Sequence, residues 1–280
     1  MTAEIALLNQ GAVALAADSK VSIGYQEYGK TYDTVNKLFT LSKYHPVGVM
    51  VYGNAAFMSY PWETVIKLYR QSLGSSSKQR VEDYARDFVA HLTRDYSFTF
   101  EEEEEIISQH LLAVHMGIEA QARDGAEAGD YHTRIMRSAT DFVEDLNRVP
   151  DVFPDFPPQE IGKLYRKAID RVVSAVYEGK LALSLKRKLR RLSALVLGKS
   201  VPLPGYSGLV VTGFGDKEKF PSLRSFEIDG VIAGRLKFRS ILKNYSRLYY
   251  QEIRTACGAP SRNSTLPRLT EASTCPFAVH

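Results

Sequence analysis

An α+β fold is predicted for this chain by three observations. The opening stretch, to about residue 60, runs in short apolar and alternating segments broken by turn residues; residues 63 to 197 carry apolar side chains at helical spacing; and alternation returns from Tyr206 to Phe238. Sheet, then helices, then sheet again is the order of an α+β domain that carries a helical insertion. The expected boundaries are 1–240 for the domain, about 125–203 for the insertion, and 241–280 for an irregular tail.

The first element is a hairpin. Ala3-Glu4-Ile5-Ala6-Leu7-Leu8 runs into Asn9-Gln10-Gly11 and returns as Ala12-Val13-Ala14-Leu15-Ala16-Ala17-Asp18-Ser19. Gly11 is able to take the positive φ that a tight turn asks for. The returning strand brings Asp18 back beside the start of the chain.

That start is Met1-Thr2. A threonine in second place says nothing alone, but removal of Met1 would leave Thr2 with a hydroxyl and a free α-amine. An α-amine has an unperturbed pKa of about 7.7 to 8.0, so it can take the hydroxyl proton without a histidine. Lys37 heads Lys37-Leu38-Phe39-Thr40-Leu41-Ser42, a further alternating run. An ammonium paired with Asp18 and drawn toward that hydroxyl would stabilise the alkoxide. Val47-Gly48-Val49-Met50-Val51-Tyr52-Gly53 is a continuous apolar strand that exits at a glycine. Gly53 lets backbone approach a ligand, with its N–H available to a developing oxyanion. Met50 and Val51, near the expected mouth, favour apolar substrate side chains.

Thr2, the Gly11 to Ser19 stretch with its Ala16-Ala17-Asp18-Ser19 run, Asn36-Lys37-Leu38-Phe39 and Val51-Tyr52-Gly53-Asn54-Ala55 together resemble the opening of a proteasome-type β subunit. Those subunits belong to the N-terminal nucleophile (Ntn) hydrolases, as does the bacterial HslV peptidase. The resemblance implies an αββα sandwich and a catalytic set of Thr2, Asp18, Lys37 and Gly53. Thr2 would be nucleophile and base, Asp18 and Lys37 would tune it, and Gly53 would supply the oxyanion N–H. It also implies a threonine-type amide hydrolase, a peptidase acting on a peptide or amide substrate, assembled as a homo-oligomeric ring. Two other readings stay open: an acylase of the same superfamily acting on small amides, and a catalytically inactive proteasome-like subunit serving assembly.

The helices follow in order. Glu63 to Leu73 has the 3.6 period through Val65, Leu68 and Tyr69, and Gly74-Ser75-Ser76-Ser77 stops it. Val81 to Tyr96 presents Tyr84, Phe88, Val89 and Leu92. Glu101 to Glu105 opens a helix running from Ile106 to Ala122, its acids read as a solvated first turn near the positive end of the dipole. His110 and His115 are read as incidental. Arg134 to Arg148 forms another helix, a Pro-rich turn covers 149–158, and helices fill Gln159 to Leu197. Lys186-Arg187-Lys188-Leu189-Arg190-Arg191-Leu192 puts five cations in seven residues. Without interleaved aromatics it reads as a solvated helix face over a leucine seam rather than a nucleic-acid arm.

After the helices, Tyr206 to Gly215 and Ser222 to Val231 read as a β-hairpin followed by a turn at Asp229-Gly230. The resemblance would require further strands and helices, carrying an Asp and a Ser that hold the N-terminal amine. The Ser-, Thr-, Pro- and Arg-rich stretch beyond 240 shows no such alternation, so the sandwich is expected to be incomplete there.

Composition bounds the rest. With 44% hydrophobic and 24% charged residues the chain is globular, and its net charge of +4 is mild. No signal peptide or membrane span is legible, which makes the cytoplasm the expected location. Two cysteines, Cys257 and Cys275, form no disulfide framework. No residue cluster calls for a metal or an organic cofactor.

Overall fold

The opening hairpin forms, though by a different device than its glycine suggests. In the computed structural model, which describes residues 2–19, 21–23, 30–32, 36–124, 130–177, 179, 181–241 and 251–257, β1 (Thr2–Leu8) pairs antiparallel with β2 (Val13–Ala17). Asn9 holds the turn: its Oδ1 accepts from the N–H groups of Gly11 and Ala12, both at 2.8 Å. Gly11 is not among the glycines with positive φ. An Asx turn replaces the glycine-driven one.

Two short pairs follow, β3 (Val21–Ile23) with β4 (Lys30–Tyr32) and, further on, β7 (Ala56–Phe57) with β8 (Tyr60–Pro61). Between them lie β5 (Leu38–Thr40) and β6 (Val47–Gly53). These two join β9 (Ser207–Gly213), β10 (Ser222–Ile232) and β11 (Arg235–Ser240) in an antiparallel five-stranded sheet of order β11-β10-β9-β6-β5. A smaller sheet has the order β12-β1-β2, where β12 is Gln251–Cys257. That strand lies inside the stretch expected to be irregular from 241 onward. Its register sets Cys257 opposite Thr2.

Alternation along the central strands sets the layers. Met50 and Tyr52 on β6 and Val210 on β9 pack with Ala6 of β1, filling the space between the two sheets. Val49, Val51, Leu209 and Val211 face the opposite way, onto helices α1 (Trp62–Leu73) and α2 (Val81–Arg94). Both helices bury an apolar face, Val65, Ile66 and Tyr69 from α1 and Tyr84, Phe88 and Leu92 from α2, but Leu68, expected on the buried face of α1, is 45% exposed and Ile66 takes its place. Each such buried side chain contributes about 1.5 to 3 kcal/mol by leaving water. The described residues thus form a mixed α+β fold with seven helices.

The remaining helices are α3 (Phe100–Asp124), α4 (Tyr131–Asn147), α5 (Pro158–Leu164), α6 (Arg166–Val176) and α7 (Leu183–Gly198). They share one core, to which α3 gives Ile107, Leu111, Val114 and Ile118. The helical section therefore begins with α3, ahead of residue 125. Thr99 and Glu102 form the capping box that starts it, Glu102 N donating to Thr99 Oγ1 at 3.2 Å and Thr99 N to Glu102 Oε2 at 2.9 Å. The basic face of α7 lies over a buried seam of Leu185, Leu189 and Leu192, and Arg190 makes a forked pair with Asp170 at 2.5 and 2.9 Å.

Polar clips tie these helices to the sheet. Glu103 is buried rather than solvated: its carboxylate accepts from Tyr165 OH at 2.5 Å and from Gly234 N at 3.0 Å. Lys237 donates to Val196 O at 2.8 Å and lies 3.4 Å from Asp229, and burial pushes its ammonium down to about 8. Asp229 and Gly230 are not the turn. β10 runs straight through them with a bulge, and the chain reverses at Ala233 and Gly234, with φ of 53° and 69°. Asp229 is occupied elsewhere, accepting from Leu203 N at 2.8 Å. Arg235 then covers the Pro-rich turn, its guanidinium 6.0 Å from the Phe153 ring and 5.4 Å from that of Phe156.

His110 and His115 are both structural. His110 places its ring nitrogens 2.6 Å from Pro204 O and 3.2 Å from Asp229 O. His115 lies between Ser193 Oγ at 2.8 Å and Tyr177 OH at 3.0 Å, with Ser193 donating onward to Leu189 O. A neutral ring satisfies every member, since Nε2–H can donate to Ser193 while Tyr177 donates to Nδ1. Burial holds the His115 pKa at about 4. A histidine depressed in the folded state stabilises fully above its unfolded pKa and loses that contribution as pH falls through the folded one. The helical section should therefore weaken between about pH 6.5 and 4, by up to about 3 kcal/mol. Urea melts at pH 7 and pH 4.5 on the parent and His115→Gln check this, because the variant should lose part of the acid sensitivity.

Candidate functional site

Register brings the acid to the start of the chain. The last β1–β2 pair is Glu4 with Ala17, so Asp18 follows one step beyond, beside the first residues of β1. Lys37 precedes β5 and is fixed by its own backbone, its carbonyl accepting from Val51 N at 2.8 Å. From there its side chain crosses to the smaller sheet. Nζ donates to Asp18 Oδ1 at 2.5 Å, and the two residues are 7% and 29% exposed.

A second carboxylate takes part that the sequence reading did not single out. Glu4 is fully buried, with Oε1 3.9 Å from Lys37 Nζ. Lys37 thus contacts two acids, Glu4 from β1 and Asp18 just past the end of β2. The signal was available: Glu4 shares the inward phase of β1 with buried Ala6, and a charged residue at an inward strand position needs a partner. Thr2 opens β1 two residues earlier, in the same phase as Glu4. The Thr2 side chain lies outside the described residues.

Gly53 ends β6 with φ +77°, and a Cβ there would sit 2.4 Å from Tyr206 O. Only glycine fits such a position without displacing β9. The loop it opens is pinned on both sides: Asn54 N donates to Tyr206 O at 3.1 Å and Trp62 N to Ala55 O at 3.1 Å. Lys37 and Gly53 line one cavity of about 140 Å³, along with Val51, Asn54, Ala55 and Trp62. Its volume suits one medium-sized side chain. Val51 lines this cavity as expected, whereas Met50 points the other way, into the layer between the sheets.

The geometry therefore pairs Asp18 with Lys37 beside the first residues of β1, sets Lys37 and Gly53 on one cavity, and adds Glu4 to the ion pair and Trp62 to the cavity wall. Among the described residues no group of three His, Cys, Asp or Glu is placed to hold a metal ion. No described helix is long and apolar enough to cross a membrane. Chemically, the arrangement offers an ammonium held between carboxylates, a glycine N–H at a fixed turn, and a mainly apolar recess. No protein-family model matches this chain, and no curated protein or solved structure is significantly similar to it.

Proposed function

We propose that the chain is a threonine-type amide hydrolase, a proteasome-like peptidase in which Thr2 becomes the nucleophile once Met1 is removed. The observation that carries this reading is the 2.5 Å contact of Asp18, beside the start of β1, with Lys37, which lines the same cavity as Gly53. In the reaction, Thr2 Oγ attacks the substrate carbonyl carbon while its α-amine accepts the hydroxyl proton. Lys37 stabilises the alkoxide, with Asp18 and Glu4 holding the ammonium in place, and Gly53 N–H receives the oxyanion. Collapse breaks the C–N bond, the α-ammonium returns its proton to the departing amine, and an ester remains on Thr2. Water deprotonated by the same amine then hydrolyses that ester.

The two facing sheets, with α1 and α2 against the larger one, support placing this chain in an αββα sandwich of the Ntn hydrolase type. Assembly as a homo-oligomer in the cytoplasm belongs to the same proposal. Val51, Ala55 and Trp62 favour an apolar substrate side chain in the cavity. Labelling tests the reading: a peptidyl β-lactone should acylate the parent once, on Thr2, and leave Thr2→Ala unmodified. Labelling at another residue, or equally in both proteins, would refute it.

A further inference from the structure

Ser207 has no role in the chemistry above, yet the Gly53 loop hangs on it. It opens the fully buried β9, is 3% exposed, and lies opposite Gly53 in the β6–β9 register. Its Oγ accepts from Trp62 Nε1 at 2.8 Å and lies 3.2 Å from Asn54 O and 3.3 Å from Ala56 O. One hydroxyl proton is thus shared between two carbonyls of the loop, while a lone pair takes the indole N–H. With Ala55 O bonded to Trp62 N, all three carbonyls from Asn54 to Ala56 are held by Ser207 and Trp62.

Such a node is more than a satisfied buried serine. A hydroxyl is the smallest side-chain group that accepts from an indole and donates to a carbonyl at once, and alanine does neither. On one side of the node stands Gly53, whose N–H faces the reacting carbonyl in the proposed reaction. On the other stands Trp62, a wall of the cavity. Fixing one to the other sets the donor's aim relative to whatever the cavity holds, a placement on which transition-state stabilisation depends steeply.

We propose that Ser207 is a positioning residue that fixes the Gly53 N–H against the Trp62 wall through its hydrogen bonds to Trp62, Asn54 and Ala56. The inference rests on the proposed reaction at Thr2. Its test follows acylation by a peptidyl β-lactone in Ser207→Ala and Ser207→Thr. In that step the lactone C–O bond breaks as the Thr2 Oγ–C ester forms, and the hydroxyl proton passes through the α-amine to the released alkoxide. Ser207→Ala should lower the limiting acylation rate by about tenfold or more while the half-saturating concentration moves less than about threefold. Ser207→Thr, which keeps the hydroxyl, should restore most of the rate. A limiting rate in Ser207→Ala equal to the parent's, whatever its melting temperature, would overturn the inference.

Amide exchange at Asn54 N–H separates this inference from the reaction it rests on. If the parent is not acylated, the reaction at Thr2 fails; faster Asn54 exchange in Ser207→Ala then still upholds the clamp, and unchanged exchange overturns it. Should Ser207→Ala not fold, Ser207→Cys, with its weaker hydrogen bonds, is expected to change rate and exchange in the same directions, and parental values would count against the clamp.

Discussion

Replacing Lys37 by methionine should abolish the reaction at Thr2 and destabilise the fold by about 3 kcal/mol. Methionine fills much of the lysine's volume, so the loss isolates the charge. Without the ammonium, the buried Glu4 carboxylate and the 29% exposed Asp18 carboxylate both lose the cation they share. Removing one partner of a buried ion pair typically costs about 3 to 5 kcal/mol, and the partial exposure of Asp18 places this case at the lower end. Urea denaturation of Lys37→Met checks the figure. Combining Lys37→Met with Glu4→Gln should recover part of the loss, because the amide needs no counter-charge, and such non-additivity marks residues in direct contact. A Lys37→Met protein as stable as the parent would show that the three side chains do not form one cluster.

Gly53→Ala is expected to affect both stability and rate. The left-handed φ of +77° costs an L-residue about 1 to 2 kcal/mol. A Cβ 2.4 Å from Tyr206 O also overlaps backbone rather than a side chain that could swing aside. Forced overpacking adds about 1 to 3 kcal/mol. The loop would relieve the overlap by moving away from β9, carrying the Gly53 N–H off its line. Loss of an oxyanion donor lowers rate by about 100- to 1,000-fold, and the β-lactone reaction reads this directly. A rate within about threefold of the parent would exclude Gly53 N–H as the donor.

Local chemistry explains which parts of this architecture were legible in the sequence. The opening hairpin, the amphipathic face of α2 and the leucine seam of α7 follow from periodicity and turn residues within a dozen positions of each other. Asp18 and Lys37 were legible as partners because short strands return them to the same end of a sheet, and Gly53 because a glycine closes an apolar strand. What escaped depends on distant partners. Glu103 reads as one of five solvated acids until Tyr165 and the Gly234 turn come to it. Asp229-Gly230 has turn chemistry, but Leu203 and Lys237 draw the aspartate away and leave a bulge. Ser207 is an ordinary strand residue until Trp62, 145 positions earlier, donates to it. Glu4 alone was within reach of strand phase.

Intact-mass measurement before and after treatment with a peptidyl β-lactone, on the parent and on Thr2→Ala, tests the central proposal most directly. The untreated parent should lack the mass of Met1, and treatment should add one probe mass that Thr2→Ala never gains. A parent that retains Met1 and gains no adduct would contradict it, because a threonine without a free α-amine has no base of its own to activate its hydroxyl.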